Sequence, residues 1–305
     1  MILPSWLWIP ATIAAAAAQT ARNALQRGLV AELGGVGATL VRFLYALPAS
    51  LSLLMAAAVL APTPIEPLAP ALLLWLPLGA VAQILATFFL LDLMGRRNFA
   101  VGVAWSKTEI LLIAIAGWLL LGEVLGPLGW LAVLLATAGV LLLSAKGLRP
   151  GDLLGAEAAA LAWRGLVTGA GFALAAVAYR AAILAAGGSG SALAAAWVLL
   201  STQALQSIVL VVWLGLRDRP VVTAVVRAWR TSLWAGTMGA LASAGWFIAF
   251  SLAPAASVRT LGLVEMLLAL LVSRRLFRER PSPQELAGQV LVALAVLLIL
   301  RAGAG

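Results

Sequence analysis

Apolar residues run along this chain in stretches of about twenty, cut at short intervals by Arg, Gly and Pro. A helix that crosses the hydrocarbon core needs roughly 20 mainly apolar residues and closes its own backbone hydrogen bonds. Ten stretches qualify: residues 4–25, 34–60, 71–93, 98–121, 127–144, 161–184, 191–216, 231–251, 255–274 and 284–301. These runs are too long for strands and lack the period-2 alternation of a lipid-facing barrel. The connections are too short to hold a soluble domain. The pattern predicts an all-helical integral membrane protein with ten transmembrane helices. The first stretch, Ala-rich from Ile13 to Ala18, lacks the basic segment of a signal peptide and is expected to stay as a helix.

The few polar positions repeat. Residues 98–144 and 254–300 align without a gap at an offset of 156, which sets Glu109 on Glu265, Glu123 on Glu279, Pro127 on Pro283 and Val140-Leu141-Leu142 on Val296-Leu297-Leu298. The chain then divides into a first five-helix repeat (1–145), a connecting loop (146–160) and a second five-helix repeat (161–305). Five is an odd number, so the second repeat enters the membrane in the opposite sense, which is the inverted plan of secondary transporters.

Charge fixes an expected orientation. The connections after the odd-numbered helices hold fifteen basic residues: Arg22, Arg27, Arg96, Arg97, Lys146, Arg149, Arg164, Arg217, Arg219, Arg227, Arg230, Arg274, Arg275, Arg278 and Arg280. The opposite connections hold none, apart from Arg301 at the C-terminus. The positive-inside rule makes the odd connections cytoplasmic and both termini periplasmic in a bacterial inner membrane. These arginines are scattered over tight turns without interleaved aromatics, so they read as topology anchors near anionic lipid headgroups; nucleic acid is not an expected partner.

Composition narrows the chemistry. The chain is 64% hydrophobic and 10% charged, with mean hydropathy +1.08 and net charge +9, and it has neither Cys nor His. Thiol and imidazole chemistry and Cys/His metal sites are thereby excluded. No metal site or cofactor is expected. Intramembrane hydrolysis would need a metal dyad, a nucleophile with its base, or paired aspartates, and no such spacing occurs, so no enzyme is expected.

Leu121-Gly122-Glu123 leads into Gly129 and Gly139 in the first half, and Phe277-Arg278-Glu279-Arg280-Pro281 leads into Gly288 in the second. With Val41-Arg42-Phe43, Arg97-Asn98-Phe99-Ala100-Val101-Gly102 and Ser106-Lys107-Thr108-Glu109, these motifs make the chain resemble the drug/metabolite transporter superfamily, in particular its EamA-type members with ten helices. The resemblance covers nearly the whole chain. It implies a central cavity lined by helices 1 to 4 and 6 to 9, with helices 5 and 10 peripheral and sometimes at a dimer contact, so a homodimer is possible. Family members usually keep both termini in the cytoplasm, and the charge pattern here says the reverse.

Ionisable groups inside a helix cost a few kcal/mol on insertion scales and mark functional candidates. Glu109 and Glu265 fall near the midpoints of their predicted helices and are the candidates for proton coupling. Arg42 and Arg259 suit an anionic group held by two hydrogen bonds. Lys107 is one of only two Lys against eighteen Arg, which points to a compact amine. Arg180, near a helix end, reads as snorkelling, and Asp92 as a static partner of Arg96 or Arg97. Gln19, Gln83 and Gln203 with Gln206 offer amides that orient a polar substrate or join helices. Among twelve Trp, most sit at helix ends, whereas Trp105 and Trp246 lie deeper and could stack on substrate or fill the core. The expected activity is secondary active transport of a small polar or amphipathic metabolite by alternating access, coupled to H⁺ through Glu109 and Glu265. The alternative is a flippase for a lipid or lipid-linked headgroup.

Overall fold

The computed structural model describes residues 2–94, 105–144, 155–267 and 282–303. Arg96, Arg97, Asn98 to Gly102, Lys146, Arg149 and the 274–281 motif, including Glu279, lie outside them. All regular structure among the described residues is helical. After a single 3-10 turn come α1 (Trp8–Leu44), α2 (Leu47–Leu60), α3 (Leu72–Met94), α4 (Glu109–Leu121), α5 (Pro127–Ser144), α6 (Ala156–Gly187), α7 (Ala192–Arg217), α8 (Arg219–Arg227), α9 (Trp229–Leu252), α10 (Ala255–Gly262) and α11 (Pro283–Ala302). Seven helical segments, from Glu32–Leu60 to Pro283–Ala302, are long and apolar enough to cross a membrane. Large apolar side chains such as Leu51, Met55, Val59, Leu73, Trp118 and Leu297 stay exposed on their outer faces. Water would penalise that surface and lipid does not. The chain is a membrane-embedded helical protein.

The structure departs from the sequence-based segmentation at the first two helices. The interval 26–33, expected as a loop, lies inside α1, which runs on to Leu44 with a kink at Gly34 (φ 70°, ψ 171°). The physical reason is that Arg, Gln, Leu, Ala and Glu in this interval are good helix formers and no Pro interrupts them, so polarity alone does not break the helix. A turn at Tyr45 and Ala46 separates α1 from α2, with Pro48 in the first turn of α2, while the backbone itself leaves the helical region at Gly34, where the second predicted run begins. Arg22 lies in α1, within the predicted run 4–25, and the charge bias stands without it. Its side chain is buried, with the aliphatic stem against Gly239 of α9. Four basic residues still stand at α8: Arg219 and Arg227 at its two ends, with Arg217 before it and Arg230 after it.

Two further predicted helices are interrupted. The helical turn at Trp105 and Ser106 gives way to a turn at Lys107 and Thr108, with Thr108 N–H bonded three residues back to Trp105 O, before α4 begins at Glu109. The stretch after Pro254 breaks at Leu263, whose N–H donates to Thr260 O, before helix resumes through Glu265. Lys107 and Leu263 stand at the same 156-residue offset as the two glutamates.

The contacts divide the chain into two compact units, residues 1–84 with 178–253 and residues 85–177 with 254–305. The divisions fall inside α3 and α6 and between Ala253 and Pro254, so each unit draws on both halves of the sequence. In the first unit α1 packs along α9, while α7 packs on α2 and α9. Gly236 of α9 sits directly against the Tyr45 backbone. In the second unit α5 and α11 cross where a Cβ on Gly139 would fall 2.8 Å from Gly288 O, and one on Gly288 would fall 2.9 Å from Gly139 O. Small residues permit such close crossings. Ser282 and Glu285 close a capping box at the start of α11, with Pro283 in its first turn.

Candidate functional site

The sequence candidates divide between the two compact units. Glu109, Arg259, Lys107, Trp105 and Glu265 belong to the second unit, and Arg42, Gln19, Gln83, Gln203 and Trp246 to the first.

In the second unit the Glu109 carboxylate accepts a hydrogen bond from the Arg259 guanidinium in a close ion pair that joins α4 to α10. Their side chains are 14% and 25% exposed, so the pair is mostly shielded from solvent. Local structure explains its position. Glu109 opens α4, where the free N–H groups of the first turn and the helix dipole favour a negative charge. Gly169 of α6 lets the preceding turn approach: a Cβ there would lie 2.8 Å from Ser106 O. Arg259 sits in the eight-residue helix α10, which the extended Pro254 starts. Its neighbour Thr260 is fully buried with its hydroxyl unpartnered among the described residues. Lys107, two residues before Glu109, has neither hydrogen bond nor ion pair among the described residues. Glu265 is half-buried just past the Leu263 break. Trp105 is 43% exposed, so its ring does not fill the core.

In the first unit a buried hydrogen-bond cluster joins α3, α6 and α7 at about mid-length of α3 and α7. The Tyr179 hydroxyl lies 2.9 Å from both Gly79 O and Gln83 Oε1. It has one proton to donate, so it serves one oxygen at a time. Gln206 Nε2 donates to Gln83 Oε1 at 2.7 Å and approaches Tyr179 Oη at 3.2 Å. Gly79 makes this possible, because a Cβ there would fall 2.5 Å from Tyr179 Cε1. Gln206 Oε1 has no partner among the described residues, and neither does Thr202 Oγ1 one turn earlier on the same face of α7. Phe247 packs against the Tyr179 ring with centroids 4.9 Å apart, and Arg42, in the last turn of α1, holds its guanidinium 5.4 Å from the centroid of the Phe43 ring. Around this core, Gln203 accepts a hydrogen bond from Ser50, and the Trp246 indole N–H donates to Gln19 Oε1 at 3.2 Å while its ring stacks on Phe250. Chemically, Gln206 Oε1 is a buried acceptor without a donor among the described residues, and the Thr202 hydroxyl can both donate and accept, so the two suit a small polar molecule.

Two side chains have partners that the sequence did not single out. Arg180 donates to the Phe250 carbonyl in the last turn of α9. Asp92 meets Arg164 of α6 at 3.5 Å, and Arg96 and Arg97 lie outside the described residues. Sequence reasoning missed Tyr179, although the chain has only two Tyr, and an aromatic hydroxyl inside an apolar run was a usable signal. Its removal gives a direct check on the cluster. Tyr179→Phe is expected to cost about 1–3 kcal/mol, because Gln83 loses a donor and Gln206 an acceptor in a buried site. Thermal unfolding in detergent measures this, and an unchanged melting temperature would show that the cluster adds nothing to stability.

No family model and no curated protein matches the chain. Solved structures do match in fold, 25 chains among them. One, described only as "Crystal structure of protein", superposes with a TM-score of 0.66 over 96% of this chain and 94% of that chain, at 17% sequence identity. At that identity the likeness carries the fold alone: the chain shares a full-length helical architecture with an experimentally solved protein.

Proposed function

We propose that the protein is a secondary active transporter for a small polar or amphipathic metabolite, working by alternating access in the manner of the EamA-type ten-helix transporters that its sequence resembles. The observation that carries this reading is the close, mostly shielded Glu109–Arg259 pair at the start of α4, beside a helix break. An inert scaffold gains little from such a pair, since apolar packing serves equally well. Broken helices at membrane depth are the usual position of transporter binding sites. The equivalent offset of the breaks at Lys107 and Leu263 supports two inverted repeats as the underlying plan.

In this reading Glu109 is the switching group. A proton on its carboxylate removes the charge that holds Arg259, and a substrate anion competes with the carboxylate for the same guanidinium. Lys107 supplies a second cation two residues away, and Glu265 a second carboxylate. The Tyr179–Gln83–Gln206 cluster offers hydrogen-bonding recognition in the other compact unit.

The test is uptake into proteoliposomes under an imposed proton gradient, with zwitterionic, anionic and cationic metabolites in separate arms and a fluorescent phospholipid in another. Gradient-dependent accumulation of at least one metabolite class is expected. Phospholipid scrambling with no metabolite uptake would replace this reading with the flippase, and no movement of any kind would remove both.

A further inference from the structure

Glu32 and Arg227 face one cavity without meeting. The cavity measures about 390 Å³ and is lined by Glu32, Leu33, Pro220, Thr223, Ala224 and Arg227. All six belong to α1 and α8 of the first compact unit, well apart in sequence from Glu109 and Arg259.

The local sequence creates this space. Glu32 and Leu33 directly precede Gly34, whose backbone lies in a region that only glycine occupies readily. Nothing stands within 4 Å of where its Cβ would be. Opposite, α8 is amphipathic. Val225 is fully buried, packing with Leu29 and Leu33 of α1 in one apolar cluster, and Val221 reaches Gly37. Arg219, Thr223 and Arg227 recur every fourth residue along its polar face. The apolar side therefore docks on α1, and Thr223 and Arg227 are left to form a wall.

Among the described residues neither Glu32 nor Arg227 has an ion-pair or hydrogen-bond partner. A ligand with a single charge is attracted by one of them and repelled by the other. A small head that carries both an ammonium and an anionic oxygen group satisfies both, and guanidinium is well shaped for phosphate or carboxylate. Position narrows the source. Glu32 begins one apolar span, and α8 lies between the end of another at Arg217 and the start of the next at Trp229. Trp213, Trp229 and Trp234, near the ends of the spans that flank α8 in sequence, are exposed, which matches the aromatic belts at membrane–water boundaries and points to headgroup depth.

We propose that this cavity binds a zwitterion with a primary ammonium on Glu32 and a phosphate or carboxylate on Arg227. A phosphatidylethanolamine headgroup and a free zwitterion share this chemistry, and the experiment separates them. The purified full chain is exchanged in detergent against phosphatidylethanolamine, phosphatidylcholine or phosphatidylglycerol, and retained lipid is counted by native mass spectrometry. Glycerophosphoethanolamine is titrated separately by calorimetry. Phosphatidylethanolamine is expected to be retained over the choline lipid, whose quaternary nitrogen has no N–H for Glu32, and over the glycerol lipid, which has no cation at all. Glu32→Gln and Arg227→Gln should each weaken binding by about three- to fivefold, since both groups are partly exposed. Their unchanged melting temperatures would confirm that the fold is intact. Retained lipid without binding of the free headgroup assigns the site to the bilayer, and binding of the free headgroup assigns it to a soluble zwitterion. The proposal is overturned if neither binds, if phosphatidylglycerol is held as tightly as phosphatidylethanolamine, or if both variants bind like the wild type.

Discussion

Glu109→Gln is expected to abolish coupled transport and to lower the melting temperature, and adding Arg259→Gln to it should restore most of the stability without restoring transport. Removing the carboxylate takes from Arg259 its ion-pair partner on α4 in a poorly solvating place. The loss here is about 3 kcal/mol, at the low end for buried pairs because the Arg259 side chain is still one-quarter exposed. Removing both leaves no orphan charge, and two amides can bond across the same gap. The stability and transport readouts then part company. A pair that only pinned α4 to α10 would give a double variant both stable and active. A switching carboxylate gives one that is stable and silent, because nothing remains to exchange a proton or to yield the guanidinium to substrate. Melting curves and proteoliposome uptake on the wild type and these two variants decide between these outcomes.

Gly236→Ala should be strongly destabilising while Gly215→Ala is neutral or stabilising, although both are glycines inside apolar helices. At Gly236 an added Cβ would stand 2.3 Å from the carbonyl carbon and 2.4 Å from the oxygen of Tyr45. Those are backbone atoms at the corner between α1 and α2. They are held by the Tyr45 N–H to Val41 O at 3.2 Å and by the Tyr45 hydroxyl to Val225 O at 3.0 Å. Relief requires α9 to move away from that corner, at a cost of about 3 kcal/mol, the upper part of the range for overpacked sites. At Gly215 nothing lies within 4 Å, so only helix propensity acts, and it favours Ala by up to about 1 kcal/mol. Thermal unfolding of both variants in one detergent tests the opposite signs. A Gly236→Ala protein that melts at or above the wild type would mean that the α9 corner is far softer than its geometry implies.

Helical membrane character was legible in the sequence because it depends on local quantities, the length and hydropathy of each run. Segment boundaries were less so. The interval 26–33 looked like a loop because it is polar, yet its residues favour helix and α1 passes through it. The continuous helices drawn through Glu109 and Glu265 are broken two residues before each carboxylate, and no Pro or Gly pair at Lys107 announces it. Among site residues, Glu109 and Arg259 stood out singly as charges in apolar runs. Their pairing did not, because it spans 150 residues and depends on how α4 and α10 pack. Gln83 and Gln206 were visible as amides. Tyr179 was not, because it is hydrophobic by composition and polar only through the hydroxyl that Gly79 allows to reach the cluster.

The separation of partners along the chain bears on how the protein is made. Gln83 enters the bilayer 96 residues before Tyr179, and Glu109 enters 150 residues before Arg259. At ribosomal rates of about 5–20 residues per second, the second interval is roughly 8 to 30 s. During it a carboxylate near an apolar span has no guanidinium to meet, and neither compact unit can close, because each needs segments from both halves. Insertion and assembly are thereby separated in time. The unfinished chain carries its most costly polar groups unsatisfied, and membrane quality-control proteases would find their best opportunity on ribosome-bound intermediates that end before residue 253.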